Sequence, residues 1–128
     1  MLKEQLINIA REARESAYAP YSGFKVGAAL LCRGGRVYSG ANIENSSYGL
    51  SICAERVAVF KAVNAGDKEF EYLCICSSGK GYIYPCGACL QVLAEFSKDL
   101  TLIITDESNT YKEYNLNELL PQVFSLGK

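Results

Sequence analysis

From Leu2 to Ala17 the apolar positions Leu2, Leu6, Ile9, Ala10, Ala13 and Ala17 recur three or four residues apart, which predicts an opening helix. Pro20 and Gly23 break the pattern in YAPYSG. FKVGAALLCR and RVYSGANI then flank Gly34-Gly35, the arrangement of a β-hairpin. After the polar connection NSSYGLSI, the segment CAERVAVFKAVNAG places Ala54, Val57, Ala58 and Ala62 on one helical face, with Gly66 as its stop. EYLCICSS reads as a strand, GKGYIYP as a loop and CGACLQVLAEFSK as a helix. LTLIITD and TYKEYN read as two further strands about the turn ESN. Asn115 with Glu118 three residues on forms a capping box for a last short helix, LNELL, closed by Pro121. No linker, low-complexity run or internal repeat interrupts the chain. The elements predict a three-layer αβα sandwich around a five-stranded mixed sheet, in one α/β domain spanning residues 1–128.

Composition sharpens this. The 128 residues are 49% hydrophobic and 21% charged, which is globular and enough to bury a core. A net charge of -1 argues against a nucleic-acid grip built on phosphate contacts. No apolar run reaches membrane-spanning length, and charges run through MLKEQLINIAREARESA, so neither a membrane partner nor a signal peptide is expected. The expected compartment is the cytoplasm, where six cysteines do not form a disulfide framework.

The cysteines divide by context. Cys32, Cys74 and Cys76 lie within strand patterns and are expected to pack as small apolar residues. Cys86 and Cys89 open a helix after Pro85, and positions i and i+3 share a face of its first turn. Taken alone, the pair leaves three readings open: half of a zinc site, a redox couple, or packing. Cys53 also stands at a loop-to-helix junction, with Glu55 two residues on. Cys53-Ala54-Glu55 followed by Pro85-Cys86-Gly87-Ala88-Cys89 matches the signature of zinc-dependent deaminases. Three protein ligands leave a fourth zinc position open, as in a catalytic site, and the chain has no histidine to close it. Three thiolates on Zn²⁺ carry a formal charge of -1, so something must withdraw electron density. Two helix N-termini and Arg56 are placed to do so, Arg56 and Gln91 as hydrogen-bond donors to the sulfurs.

With those residues in view, the chain resembles the small zinc-dependent cytidine deaminases of pyrimidine salvage. YAPYSGFKVGAAL, GANIENSSYGLSICAER, PCGACLQVLAEF and ELLPQVF are all similar to segments of that family, in order. The resemblance implies one Zn²⁺ per subunit on Cys53, Cys86 and Cys89, with Glu55 shuttling protons in the hydrolytic deamination of cytidine and 2′-deoxycytidine. It implies that Phe24 lies against the pyrimidine, that Asn42 and Glu44 bind the ribose hydroxyls, and that the Ala54 N–H meets the base carbonyl. It further implies a homotetramer in which Tyr48 and Phe124 reach neighbouring sites. A free nucleoside carries no phosphate; the chain has no glycine-rich phosphate loop of the usual kinds, and Glu44 would repel a phosphate that came close.

Two positions depart from the family pattern. Leu90 stands where many relatives carry Arg, so charge balance leans on Arg56, and Val57 replaces a frequent Thr. Three alternatives are a deaminase of another aminopyrimidine nucleoside, such as a nucleoside antibiotic, a nucleic-acid editor, and a non-catalytic zinc protein.

Overall fold

The computed structural model describes residues 1–127. Its elements are α1 (Lys3–Arg14), β1 (Val26–Cys32), β2 (Val37–Ala41), α2 (Ala54–Asn64), β3 (Phe70–Ser77), α3 (Gly87–Phe96), β4 (Thr101–Thr105), β5 (Tyr111–Asn115) and α4 (Leu116–Leu119), with a single 3₁₀ turn at Tyr48–Leu50. The five strands form one sheet in the order β2-β1-β3-β4-β5. Only the β3–β4 pair is parallel, so the expected mixed sheet and αβα layering are both present.

β1 is buried along its whole length, so its residues serve two cores by alternation. Val26, Ala28, Leu30 and Cys32 join Leu73, Ile75, Leu102 and Ile104 in the larger core beneath α2 and α3. Ala29 and Leu31 join Cys74, Cys76 and Ile103 beneath α1. Cys32, Cys74 and Cys76 are thus packing residues, as expected, and burial pushes the Cys32 thiol up to about 12.

The opening helix is shorter than its apolar pattern. It ends at Arg14 because the chain beyond is drawn across to the segment after β2. Tyr18 N–H donates to Asn42 O at 3.0 Å, and Glu44 N–H returns to Tyr18 O at 2.8 Å. The capping box forms as expected: Asn115 accepts from Asn117 N–H, and Glu118 accepts from Asn115 N–H at 2.8 Å.

One close approach fixes the helix that carries the cysteine signature. A Cβ at Gly40 in β2 would stand 2.6 Å from Ala54 O and 2.7 Å from Ala58 N. The first turn of α2 therefore rests directly on the strand, and only glycine leaves room for it.

Candidate metal centre and its cavity

Cys53 and Cys86 are the N-cap residues of α2 and α3, so both helices start at the same place. Cys89 enters from the first turn of α3. The sulfurs of Cys53 and Cys86 are 3.8 Å apart, those of Cys86 and Cys89 3.4 Å, and all three lie within 4.8 Å of one another. Tetrahedral zinc with Zn–S bonds of about 2.3 Å needs sulfurs about 3.8 Å apart, so the donor set fits that ion in number, softness and spacing. No other group of three His, Cys, Asp or Glu side chains among the described residues converges in this way.

The surroundings favour ionised sulfur. Two helix N-termini direct free amides and the positive ends of their dipoles at the cluster. At α3 this is a specific contact, Cys89 N–H to Cys86 Sγ at 3.4 Å. At α2 the Arg56 guanidinium donates through Nη2 to Cys53 Sγ at 3.4 Å. The Cys53 thiol is lowered to about 5, first by its hydrogen bond with Cys89 and then by Arg56 and Cys86. Cys89 is pushed up, because it shares its proton with Cys53 and is itself buried. Cys53 thus ionises first, while Cys89 keeps its proton.

Glu55 is 5% exposed and has few means of holding a charge. Burial pushes its carboxyl up to about 7, against the opposing pull of Cys89 and Arg56. Such a group takes and returns a proton near neutral pH.

Above the cluster lies a cavity of about 420 Å³. It is lined by Cys53, Cys86, Glu55, Arg56 and Ala54, and by Phe24, Asn42, Glu44 and Tyr48. All the expected site residues except Cys89, Gln91 and Phe124 therefore line one space, and Cys89 belongs to the sulfur cluster at its edge. A larger depression of about 510 Å³, between the start of β3 and the end of α3, contains none of them.

Reciprocal backbone bonds between Ile43 and Ile52, at 3.0 and 2.9 Å, hold Asn42 and Glu44 beside Cys53. The Asn42 amide is partly engaged, accepting from Val26 N–H and donating to Phe24 O. The Glu44 carboxylate is held by Tyr21 N–H, Ser22 N–H and the Ser22 hydroxyl, which keep it below the usual carboxylate range. Ser22 also accepts from Phe24 N–H at 3.0 Å, joining Glu44 to Phe24.

Gln91 departs from expectation. Its amide donates to Phe124 O at 2.9 Å, because the C-terminal segment packs along α3 and takes the donor that sequence spacing aimed at a sulfur. Phe124, 69% exposed, lines a separate cavity with Gln91 and Leu126. Tyr48 lines its own chain's cavity while 78% exposed. Ser22, Ile83 and Tyr84 also belong to the site or its support, though their spacing does not mark them. Tyr84, just before Pro85, lines the cavity and shares a 3.1 Å hydroxyl contact with Tyr114. Its place next to the cysteine pair was the available signal; Ser22 had none, because its role depends on two segments meeting.

A mixed αβα sandwich that brings three thiols and a buried carboxylate to one cavity defines a hydrolytic metalloenzyme, with the metal position open on one side. The family model for the cytidine and deoxycytidylate deaminase zinc-binding region matches residues 1–105. A cytidine deaminase of Sporosarcina psychrophila is 46% identical over 123 residues, covering 95% of this chain and 90% of that protein. One of Halalkalibacterium halodurans is 45% identical over 98% of this chain and 96% of its own length. The crystal structure of cytidine deaminase from Burkholderia pseudomallei superposes with a TM-score of 0.93 at 46% identity, over 97% of this chain and all of that one. The chain belongs to the cytidine and deoxycytidylate deaminase family, and its cofactor is zinc.

Arg56 is the one side-chain cation that hydrogen-bonds a sulfur of the cluster among the described residues. Arg56→Ala is expected to weaken zinc binding by about 10- to 100-fold, measured by competition with a chromophoric chelator. An unchanged affinity would show that the helix ends suffice.

Proposed function

We propose that the protein converts cytidine and 2′-deoxycytidine to uridine and 2′-deoxyuridine, consuming water and releasing ammonia. The observation that carries this is the placement of Glu55, a buried carboxyl with its proton affinity near neutrality, beside three convergent thiols in a nucleoside-sized cavity. Phe24 offers the pyrimidine an apolar face, and the Ala54 N–H, free at the first turn of α2, meets the base carbonyl. Asn42 and Glu44 keep spare hydrogen-bonding capacity for the ribose hydroxyls, and the negative charge of Glu44 disfavours a phosphorylated sugar.

Cys53, Cys86 and Cys89 hold the zinc, which when bound supplies the Lewis acidity that makes water acidic enough to react near neutral pH. Glu55 takes the proton of the attacking water and delivers it to ring N3, which makes C4 electrophilic. The water oxygen bonds to C4. Glu55 then moves the proton of the new C4 hydroxyl to the exocyclic amine, the C4–N bond breaks, ammonia leaves and the C4 carbonyl forms. Arg56 holds the Cys53 sulfur in its ionised form throughout.

The working protein is a homotetramer in which Phe124, which does not line its own chain's cavity, serves a neighbour's. Large apolar side chains left uncovered at Tyr48, Leu50, Phe60, Phe124 and Leu126 support this, since such surface is ordinarily buried by association. Its role is pyrimidine salvage in the cytoplasm, a reducing compartment in which free thiols persist.

Two measurements test this reading. Glu55→Gln should retain one zinc per chain by elemental analysis and lose about 10²- to 10⁴-fold in kcat for cytidine; activity near that of the parent would remove Glu55 from the proton path. Sedimentation should give four times the mass of the 14.0 kDa chain. A monomer that is fully active would eliminate the shared-site role of Phe124.

A further inference from the structure

The loop between β3 and α3 meets the substrate cavity's aromatic wall at a residue with no side chain. A Cβ at Gly79 would stand 2.7 Å from Phe24 Cε1 and 3.6 Å from both Cδ1 and Cζ. The edge of the Phe24 ring therefore lies on the Gly79 backbone. Backbone conformation does not demand glycine here: Gly79 lies outside the left-handed region, unlike Gly81 nearby at φ +83°. What glycine provides at position 79 is room.

Neither side of this contact is free to retreat. Ser78 N–H donates to Lys25 O at 2.8 Å, and Lys25 N–H donates to Ser78 Oγ at 3.0 Å, so the loop is tied to the residue that follows Phe24. Further along, Gly81 N–H donates to the Glu107 carboxylate at 3.1 Å. The Phe24 backbone is held as firmly, its N–H by Ser22 Oγ at 3.0 Å and its carbonyl by the Asn42 amide at 2.9 Å. With both backbones pinned, a methyl group at position 79 is relieved by rotating the ring. The loop closes one side of the ring, and the cavity that Phe24 lines has room to receive it.

We propose that Gly79 is a positioning residue for the pyrimidine. Its missing side chain lets the Phe24 ring lie back against the loop, and this sets the width of the slot that accepts the planar base. The inference rests on the reading of Phe24 as the face against the base. Gly79 does not itself line the cavity, and the three atoms nearest to where a Cβ would stand all belong to Phe24. Its influence on substrate thus passes through that ring.

The test is a double-mutant cycle on the zinc-loaded enzyme. Gly79→Ala should raise KM for cytidine about tenfold while kcat changes less than about threefold, the signature of lost binding that is common to ground and transition states. In a Phe24→Leu background, where no ring remains to be displaced, the same substitution should change KM less than about twofold. An unchanged KM, a fall in kcat alone, or an equal rise in both backgrounds would overturn the proposal. A crystal structure of Gly79→Ala reads the ring without reference to activity: displacement into the cavity is expected, and a ring left in place overturns it. If the parent enzyme fails to turn over cytidine, the functional reading falls instead, and the crystal structure still decides whether Gly79 sets the ring's position.

Discussion

Three thiols held within 4.8 Å of one another cannot all ionise without a compensating cation, and most of the site's construction answers that constraint. Two like charges about 4 Å apart repel by roughly 4 kcal/mol even at the effective dielectric of a protein surface. The chain responds with positive partial charge from two helix ends and full charge from Arg56, which donates to Cys53 Sγ. This suffices to ionise one sulfur, since Cys53 falls to about 5 while Cys89 is driven up. The rest of the demand is for a dication with thiolate preference. Glu55 answers to burial first: it raises the proton affinity of the carboxyl to the range that acid–base work near pH 7 requires, and the charge on Cys53 adds to it.

The fold serves this convergence. The sheet is wide enough to carry α2 and α3 side by side on one face, and Gly40 lets the first turn of α2 rest on β2. The bridge between Ile43 and Ile52 then draws Asn42 and Glu44 to the cysteine that caps α2. Leu90, directly after the last cysteine, is buried in the larger core and supplies packing but no charge. Position 90 thus anchors α3 and leaves the electrostatic duty to Arg56.

Much of this was readable from residue order because its physics is local. Helical spacing, Gly34-Gly35 between apolar runs and the Asn115/Glu118 capping box are short-range signals, and all three appear as expected. The metal cluster was readable because both parts sit at helix starts, Cys86 and Cys89 sharing a face at i and i+3, and because Cys53-Ala54-Glu55 ahead of them completes a compound signature. What escaped depends on segments far apart in sequence. The end of α1 is set by Tyr18 pairing across to Asn42 and Glu44. Gln91 is captured by a carbonyl 33 positions away, and Ser22 joins Glu44 to Phe24 only once two loops meet. Spacing along one helix face can suggest that a side chain points toward a sulfur, but it cannot anticipate a tail that arrives to claim it.

The most direct test of the account is cytidine turnover by the purified protein, followed by ultraviolet absorbance and ammonia release, before zinc removal, after it and after zinc is restored. The account predicts stoichiometric conversion to uridine and ammonia that is lost with the metal and regained with one zinc per chain. Turnover that survives complete zinc removal, or a zinc-loaded protein that leaves cytidine intact, would contradict it.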